Sequence, residues 1–167
     1  PINSAQAEGE PFIAPDGSYL LFSRDMDLYV TFLQKDGLWT EPLPLGPGIN
    51  TRAYELCPQV SADGRYLFFL SSRTGENAAF WVEAGFLEEM RKTAHLPSAS
   101  GVLQDALETG GVAAGQARAK ELLAAPDRFR FDEAALNALG YRHLQAGRRA
   151  EAILVLEIGA AAFPNSW

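Results

Sequence analysis

Four carboxylates are the first side chains in this sequence whose type and spacing could do chemistry. Asp25 and Asp27 flank Met26, and paired hard oxygen ligands are what a calcium or magnesium ion prefers. Glu8 and Glu55 stand 47 residues apart at matching places in the chain, and neither is accompanied by a histidine. A turn between two strands, where polar residues are common, is the simpler explanation of Asp25 and Asp27. We therefore expect a hairpin turn at the aspartates, structural hydrogen bonds at the glutamates, and neither a metal nor a cofactor.

Catalysis by an acid and a base, or by an activated nucleophile, needs groups held within hydrogen-bond reach of a tuning partner. His95 and His143 lie far apart in sequence, in a linker and in a helix, with no motif around either. Cys57 is the only cysteine, which excludes an internal disulfide and is typical of a small buried hydrophobe. The sequence contains no nucleophile elbow, no zinc-protease motif and no phosphate-binding glycine loop. These observations predict a protein that is not an enzyme.

The net charge and the hydropathy of the chain indicate which partners are not expected. The net charge of -7 and the pI near 4.8 oppose binding to a phosphate backbone, which attracts stripes of lysine and arginine. Nucleic acid is therefore not an expected partner. The chain has no run of eighteen apolar residues, so we expect no membrane span.

The first half of the chain contains an internal repeat. Residues 1–23 align without a gap on residues 48–70, and the stretch from Pro11 to Phe22 returns from Pro58 to Phe69. Beyond the shared part, residues 80–82 match residues 28–30 only after five extra residues, which we assign to 73–77. Repetition at this period is typical of a four-stranded unit that must stack on neighbouring units to bury its faces.

Turn pairs such as Asp16-Gly17 and Asp63-Gly64 punctuate this half and predict short antiparallel strands. Both prolines of the repeat, Pro11 and Pro58, are expected at strand starts, where a missing donor does little harm. The two copies of the central strand are apolar on both sides, so we expect all of their side chains in the core. The predicted strands are 12–14, 19–23, 28–33, 38–41, 59–61, 66–70 and 79–83.

The stretches Phe12–Ser23 and Val60–Phe69 resemble the signature of WD40-like β-propeller repeats of the TolB type. The resemblance covers residues 1–92 and implies two blades, each a four-stranded antiparallel sheet. It implies a scaffold that contacts other proteins, is usually exported in bacteria, and has no catalytic residues of its own. Two blades do not close a ring, so we expect a fragment of a larger propeller or a chain that completes itself by self-association.

From residue 93 onward, alanine and leucine recur at helical spacing. We expect helices over 87–91, 101–108 and onward to 124, with a break at Gly110-Gly111 and an end before Pro126. Asp132 is a predicted N-cap for a helix over 133–146, and a partner helix is expected over 149–162.

The spacing of small and apolar residues in this last hairpin resembles the pattern of a tetratricopeptide repeat. These residues are Leu136, Leu139, Gly140, Gly147, Ala152, Leu156, Gly159 and Pro164. The resemblance implies a stacked helical surface for a partner. The predicted organisation is an α+β multi-module chain: two propeller blades over 1–92, a linker and helical hairpin over 93–132, and a tetratricopeptide-like tail over 133–167.

The predicted function is a non-catalytic scaffold for protein–protein interaction, periplasmic or secreted by family resemblance. Two alternatives stay open. The chain could be the accessory propeller of a hydrolase or peptidase whose catalytic domain lies outside it, or it could bind a carbohydrate or another small ligand by stacking on Trp39 and Trp81. Candidate partner-binding residues on loops and helix faces are Arg52, Tyr54, Arg73, Arg142, His143 and Gln145.

Overall fold

A computed structural model describes residues 2–166 and shows a mixed α+β fold. The chain divides into two compact units between His95 and Leu96. The first unit holds two open antiparallel sheets and one helix, and the second unit is helical.

The sheets of the first unit follow one another in the chain. Sheet 1 has the strand order β1-β2-β3-β4 and sheet 2 has the order β5-β6-β7. The elements are β1 (Glu8–Ile13), β2 (Tyr19–Arg24), β3 (Asp27–Phe32), β4 (Leu43–Pro44), β5 (Glu55–Val60), β6 (Tyr66–Ser71), β7 (Ala78–Glu83) and α1 (Phe86–Thr93).

Both sheets reproduce the same local geometry. The pairing of β1 with β2 is interrupted by a bulge between Gly9 and Phe12, and that of β5 with β6 by a bulge 47 residues later. One residue in each bulge has a positive φ, 51° at Glu10 and 54° at Cys57. The turns that follow also match, because an aspartate side chain accepts a hydrogen bond from the backbone two residues on in both sheets, at 3.0 Å and 3.1 Å. The sequence repeat is therefore a repeat of conformation.

The register corrects the predicted gap between the copies. Phe22 pairs with Tyr29 in sheet 1, and Phe69 pairs with Phe80 in sheet 2, so the equivalent of Phe80 is Tyr29 rather than residue 28. The hairpin between β2 and β3 turns through two residues, whereas the loop between β6 and β7 spans 72–77. The insertion is thus four residues long, not five.

We call the two surfaces of each sheet its front and back, because directly paired residues share a surface and successive residues alternate. The front of sheet 1 carries Leu21, Leu28, Val30 and Phe32, and the front of sheet 2 carries Phe68, Leu70, Ala79 and Trp81. The back of sheet 1 carries Ile13, Leu20, Phe22 and Tyr29, and the back of sheet 2 carries Val60, Leu67, Phe69, Phe80 and Val82.

The core of the first unit lies between the front of sheet 1 and the back of sheet 2. One hydrophobic cluster joins Leu21 and Val30 of sheet 1 to Leu67 and Phe69 of sheet 2, and α1 adds Leu87. The sheets therefore stack front to back, with the same orientation in each layer.

Three details of the first unit differ from the sequence predictions. The predicted strand over 38–41 is reduced to one bridge at Trp39, and regular pairing with β3 resumes only at β4, because Pro42 supplies no backbone donor. Pro11 and Pro58 lie inside strands, at the bulges, where a donor is not needed. Sheet 2 has no fourth strand among the described residues, and α1 follows β7 instead.

Two expected core residues are exposed. Phe68, in the middle of β6, lies on the open front of sheet 2 and is 44% exposed. Cys57, expected to be buried, is exposed because the bulge turns it away from the ladder.

The second unit is built from α2 (Ala99–Ala124), α3 (Glu133–Gln145) and α4 (Arg149–Ala162). The predicted N-cap is confirmed, since the Asp132 carboxylate accepts a hydrogen bond from the Ala135 backbone at 3.1 Å. The predicted break at Gly110-Gly111 is also confirmed: Gly111 has φ 63° and ψ -158°, so α2 folds back on itself. A Cβ on Gly140 would lie 2.6 Å from Leu156, which shows that α3 and α4 pack at close range.

Candidate interaction surface

A buried carboxylate fixes the start of sheet 2. Glu55 is fully buried and accepts hydrogen bonds from the Thr51 backbone at 2.9 Å, the Thr51 hydroxyl at 2.8 Å and the Ser71 hydroxyl at 2.7 Å. Arg73 Nη2 lies 3.4 Å from the same carboxylate. Burial alone raises the pKa of Glu55, but these hydrogen bonds and the arginine outweigh it and hold the pKa below its usual value.

Sheet 1 has the same arrangement at its own first strand. Glu8 accepts a hydrogen bond from the Ser4 backbone at 3.1 Å and one from Arg24 Nε at 2.9 Å. Arg24 also lies over the rings of Phe22 and Tyr29, at 5.3 Å and 5.1 Å from their centroids. Glu8 and Glu55 thus have the structural role that the sequence predicts.

Arg73 takes the place of Arg24 in sheet 2 although the two do not align. Its guanidinium lies 5.4 Å from the Phe69 centroid and 4.9 Å from the Phe80 centroid, and it donates a hydrogen bond to the Ile49 carbonyl. Arg73 is also one of the predicted partner-binding residues, and its guanidinium is engaged with neighbours in sheet 2.

The front of sheet 2 is an open apolar surface. Trp81 is 61% exposed, Phe68 is 44% exposed and Leu70 is 36% exposed. Phe68 is paired with Trp81 across the strands, and the Trp81 ring meets Tyr66 edge to face at 5.2 Å. Exposed, contiguous aromatic side chains of this kind make the front of sheet 2 a candidate interaction surface.

The equivalent positions of sheet 1 are buried. Leu21 corresponds to Phe68 and Val30 corresponds to Trp81, and neither Leu21 nor Val30 has any exposed surface. The difference comes from the neighbouring layer, because sheet 2 covers the front of sheet 1 while no described residue of the first unit covers the front of sheet 2 in the same way.

The other loop candidates lie near the start of β5. Arg52 and Tyr54 are exposed, and the Tyr54 backbone exchanges hydrogen bonds with Ser72. They adjoin sheet 2 without belonging to its aromatic front.

The helical candidates divide into exposed and buried residues. Arg142 and Gln145 are exposed on α3, and Arg142 contacts Gln104 at 3.4 Å. His143 is buried, and its Nδ1 accepts a hydrogen bond from Arg148 Nε at 3.0 Å. Burial, and then the positive charge of Arg148, lower the pKa of His143. His143 therefore packs in the second unit and offers no surface to a partner.

Clefts are present in both units. One of about 660 Å³ lies in the first unit beside Phe32, Lys35, Arg91 and His95. Its arginine is already engaged, since Nη2 donates to the Ser18 hydroxyl at 2.9 Å. In the second unit, a groove of about 410 Å³ runs between α2 and α4 and is lined by Gln116, Ala119, Lys120, Leu123, Leu154, Glu157 and Ile158.

The aspartates occupy the tight turn between β2 and β3. Asp25 and Met26 are the two central residues, with φ 45° and 74°, and Asp25 accepts a hydrogen bond from Gln6 at 2.6 Å. Across residues 2–166, no three histidine, cysteine, aspartate or glutamate side chains gather into a metal-binding group. The helices described here include none long and apolar enough to span a bilayer.

Comparison with known proteins gives no relative, since no family model, no curated protein and no solved structure matches this chain.

Proposed function

We propose that this chain is a non-catalytic scaffold that binds protein partners, and that its two sheets are propeller-type blades followed by a tetratricopeptide-like helical hairpin. The front-to-back stacking of two repeated sheets supports the first resemblance. The close antiparallel packing of α3 and α4 at Gly140 supports the second. A periplasmic or secreted location follows from the first resemblance alone.

The observation that carries the proposal is the open aromatic front of sheet 2. Tyrosine, tryptophan and phenylalanine are enriched where proteins bind one another, because they bury a large area with few rotatable bonds. Trp81 and Phe68 form the centre of this surface, and Leu70 extends it along β6. Large exposed aromatic side chains favour binding, and binding is the function that this surface supports.

Site-specific photocrosslinking tests the proposal. A benzophenone amino acid replaces Trp81 in the full chain, and the matched control carries it at Leu38, which is 64% exposed in the loop between β3 and β4. In a bacterial envelope extract, we expect reproducible protein adducts at position 81 and few at position 38. Equal labelling at both positions, or none at either, would contradict a protein-binding role for this surface.

The carbohydrate alternative retains one supporting observation. Trp81 presents an open ring, but Trp39 is half-buried at the outer edge of sheet 1 and does not belong to the same surface. Titration with oligosaccharides, followed by tryptophan fluorescence of the wild type and of Trp81→Phe, distinguishes the two functions. A saturable change that the substitution removes would favour the carbohydrate. The hydrolase accessory role stays a prediction, which the sequence of a longer gene product would test.

A further inference from the structure

Apolar side chains are exposed at both ends of the sheet stack. At one end the front of sheet 2 is open, with Trp81 and Phe68 exposed. At the other end the back of sheet 1 is open at Ile13, which is 57% exposed, and at Leu20, which is half-buried. Their equivalents in sheet 2 are more buried: Val60 is half-buried and Leu67 has no exposed surface, because they face the front of sheet 1.

We propose that the front of sheet 2 binds the back of sheet 1 of a second copy of this chain, so that copies stack head to tail. The inference rests on the proposed function, because it takes the aromatic front to be a protein-binding surface and adds the identity of the partner.

The interface inside the chain is the template for this contact. There, the front residues Leu21 and Val30 pack against the back residues Leu67 and Phe69 in one cluster. In the contact between copies, Phe68 and Trp81 take the places of Leu21 and Val30, and Leu20 of the second copy takes the place of Leu67. The exposed residues of the two surfaces are apolar, Phe68 and Trp81 on the front and Ile13 and Leu20 on the back, and the aromatic side chains supply more buried area than the aliphatic ones they replace.

Polar contacts make the external contact weaker than the internal one. Inside the chain, the Glu10 carboxylate accepts a hydrogen bond from the Cys57 backbone at 3.2 Å, and the Glu55 backbone donates to the Met26 carbonyl at 2.7 Å. At the contact between copies, Cys57 is the equivalent of Glu10. The carboxylate acceptor is therefore replaced by a thiol, which is a weak hydrogen-bond acceptor. We therefore expect reversible association rather than a permanent oligomer.

The contact joins two different surfaces, so its symmetry is heterologous. Such contacts produce rings when the rotation closes and open chains of copies when it does not. Each copy uses one surface for each neighbour.

Sedimentation velocity of the purified full chain over a range of concentrations is the first test. We expect the average mass to rise with concentration, and we expect Trp81→Glu or Ile13→Glu to weaken the association on the order of 30-fold, as loss of a central contact does. Leu38→Glu, at an exposed position outside both surfaces, is the control and leaves the association unchanged. Phe68→Glu is a second front variant, so unfolding of one variant, detected by circular dichroism, does not decide the result.

Mixing the variants tests the direction of stacking. Trp81→Glu retains an intact back and Ile13→Glu retains an intact front, so an equimolar mixture should form a dimer and nothing larger. A chain that stays monomeric at millimolar concentration would overturn the proposal. Association that survives Ile13→Glu but not Trp81→Glu would also overturn it, since it would show that two fronts pair with each other.

The crosslinking experiment separates this inference from the proposed function. Adducts at position 81 that contain only this chain and are abolished by Ile13→Glu support head-to-tail stacking. Adducts that contain only a different protein overturn stacking and leave the scaffold function in place. Absence of adducts overturns both.

Discussion

Sheet 1 and sheet 2 share a bulge, a turn and a carboxylate network, yet sheet 1 buries its front while sheet 2 exposes it. Leu21 and Phe68 occupy the same place in the repeat, and their exposed fractions are 0% and 44%. The backbone and its hydrogen bonds are therefore set within each repeat, whereas burial is set by the next layer. In a stacked architecture, an apolar strand provides a surface that another sheet can cover. Whether its side chains are buried depends on the presence of that sheet.

Truncation of these equivalent residues gives the largest expected contrast. Leu21→Ala leaves a cavity in the core and should lower the free energy of unfolding by about 3 kcal/mol, as buried leucines do. Phe68→Ala removes a side chain that is largely in water and should cost about 1 kcal/mol or less. Urea denaturation followed by circular dichroism measures both. Equal losses would show that the front of sheet 2 is covered in solution.

The carboxylate networks give the next contrast. Glu55→Ala leaves the Thr51 and Ser71 donors without their buried acceptor and should cost about 2 kcal/mol. Glu8→Ala should cost less, since the Glu8 side chain is 17% exposed and water replaces part of its contacts. The same denaturation experiment applies. A larger loss at Glu8 would mean that the N-terminal network carries more of the fold than its burial indicates.

The pH dependence of the Glu55 network follows from its lowered pKa. The unfolded chain titrates this group near its usual value of 4.5, and the folded chain titrates it lower. The stability that Glu55 contributes is therefore complete above that value and is lost as the pH falls through the folded pKa. We expect the difference in unfolding free energy between the wild type and Glu55→Gln to be constant from neutral pH to about pH 5 and to shrink below it. A difference that persists unchanged to pH 3 would exclude the carboxylate as its source.

The hairpin turns give the smallest contrast. Met26 has φ 74° in a two-residue turn, a conformation that costs a residue with a Cβ more than it costs glycine. Met26→Gly should therefore stabilise the chain by about 0.5 kcal/mol, after the greater entropy of glycine in the unfolded chain is subtracted. Thr74→Gly, in the longer loop of sheet 2, has no such strain to relieve and should be neutral or destabilising. Thermal unfolding of the two variants in parallel provides the measurement. Stabilisation by Thr74→Gly instead of Met26→Gly would contradict the attribution of backbone strain to Met26.

Local signals in the sequence predicted local structure well. Asp132 begins α3 as an N-cap and α4 spans the predicted residues, because capping and helical periodicity depend on neighbours along the chain. The repeat predicted two sheets of like conformation, because a recurring aspartate–glycine turn has the same effect in each copy.

Predictions that depended on distant contacts were less successful. Cys57 and Phe68 were expected in the core, and both are exposed. The length of the insertion was predicted as five residues rather than four because strand register is set by cross-strand pairing such as Phe69 with Phe80, which a linear alignment does not contain. The contact of Arg73 with Glu55, eighteen residues away in sequence, was likewise not predicted. No signal in β6 distinguishes the exposed Phe68 from the buried Leu67 and Phe69, because the strand is apolar on both of its surfaces.

The backbone of α2 reverses its direction at a single residue, Gly111. A Cβ on Gly115 would lie 2.5 Å from Leu107, so the halves on either side of the reversal are pressed together. A substitution such as Gly111→Ala disfavours the reversal, and the straightened α2 of 26 residues would be about 39 Å long. Its second half would then lose Leu107 as a neighbour and would regain that contact only from another molecule. A tight hinge of this kind is a starting point for domain swapping, in which two chains exchange helices and each completes the other.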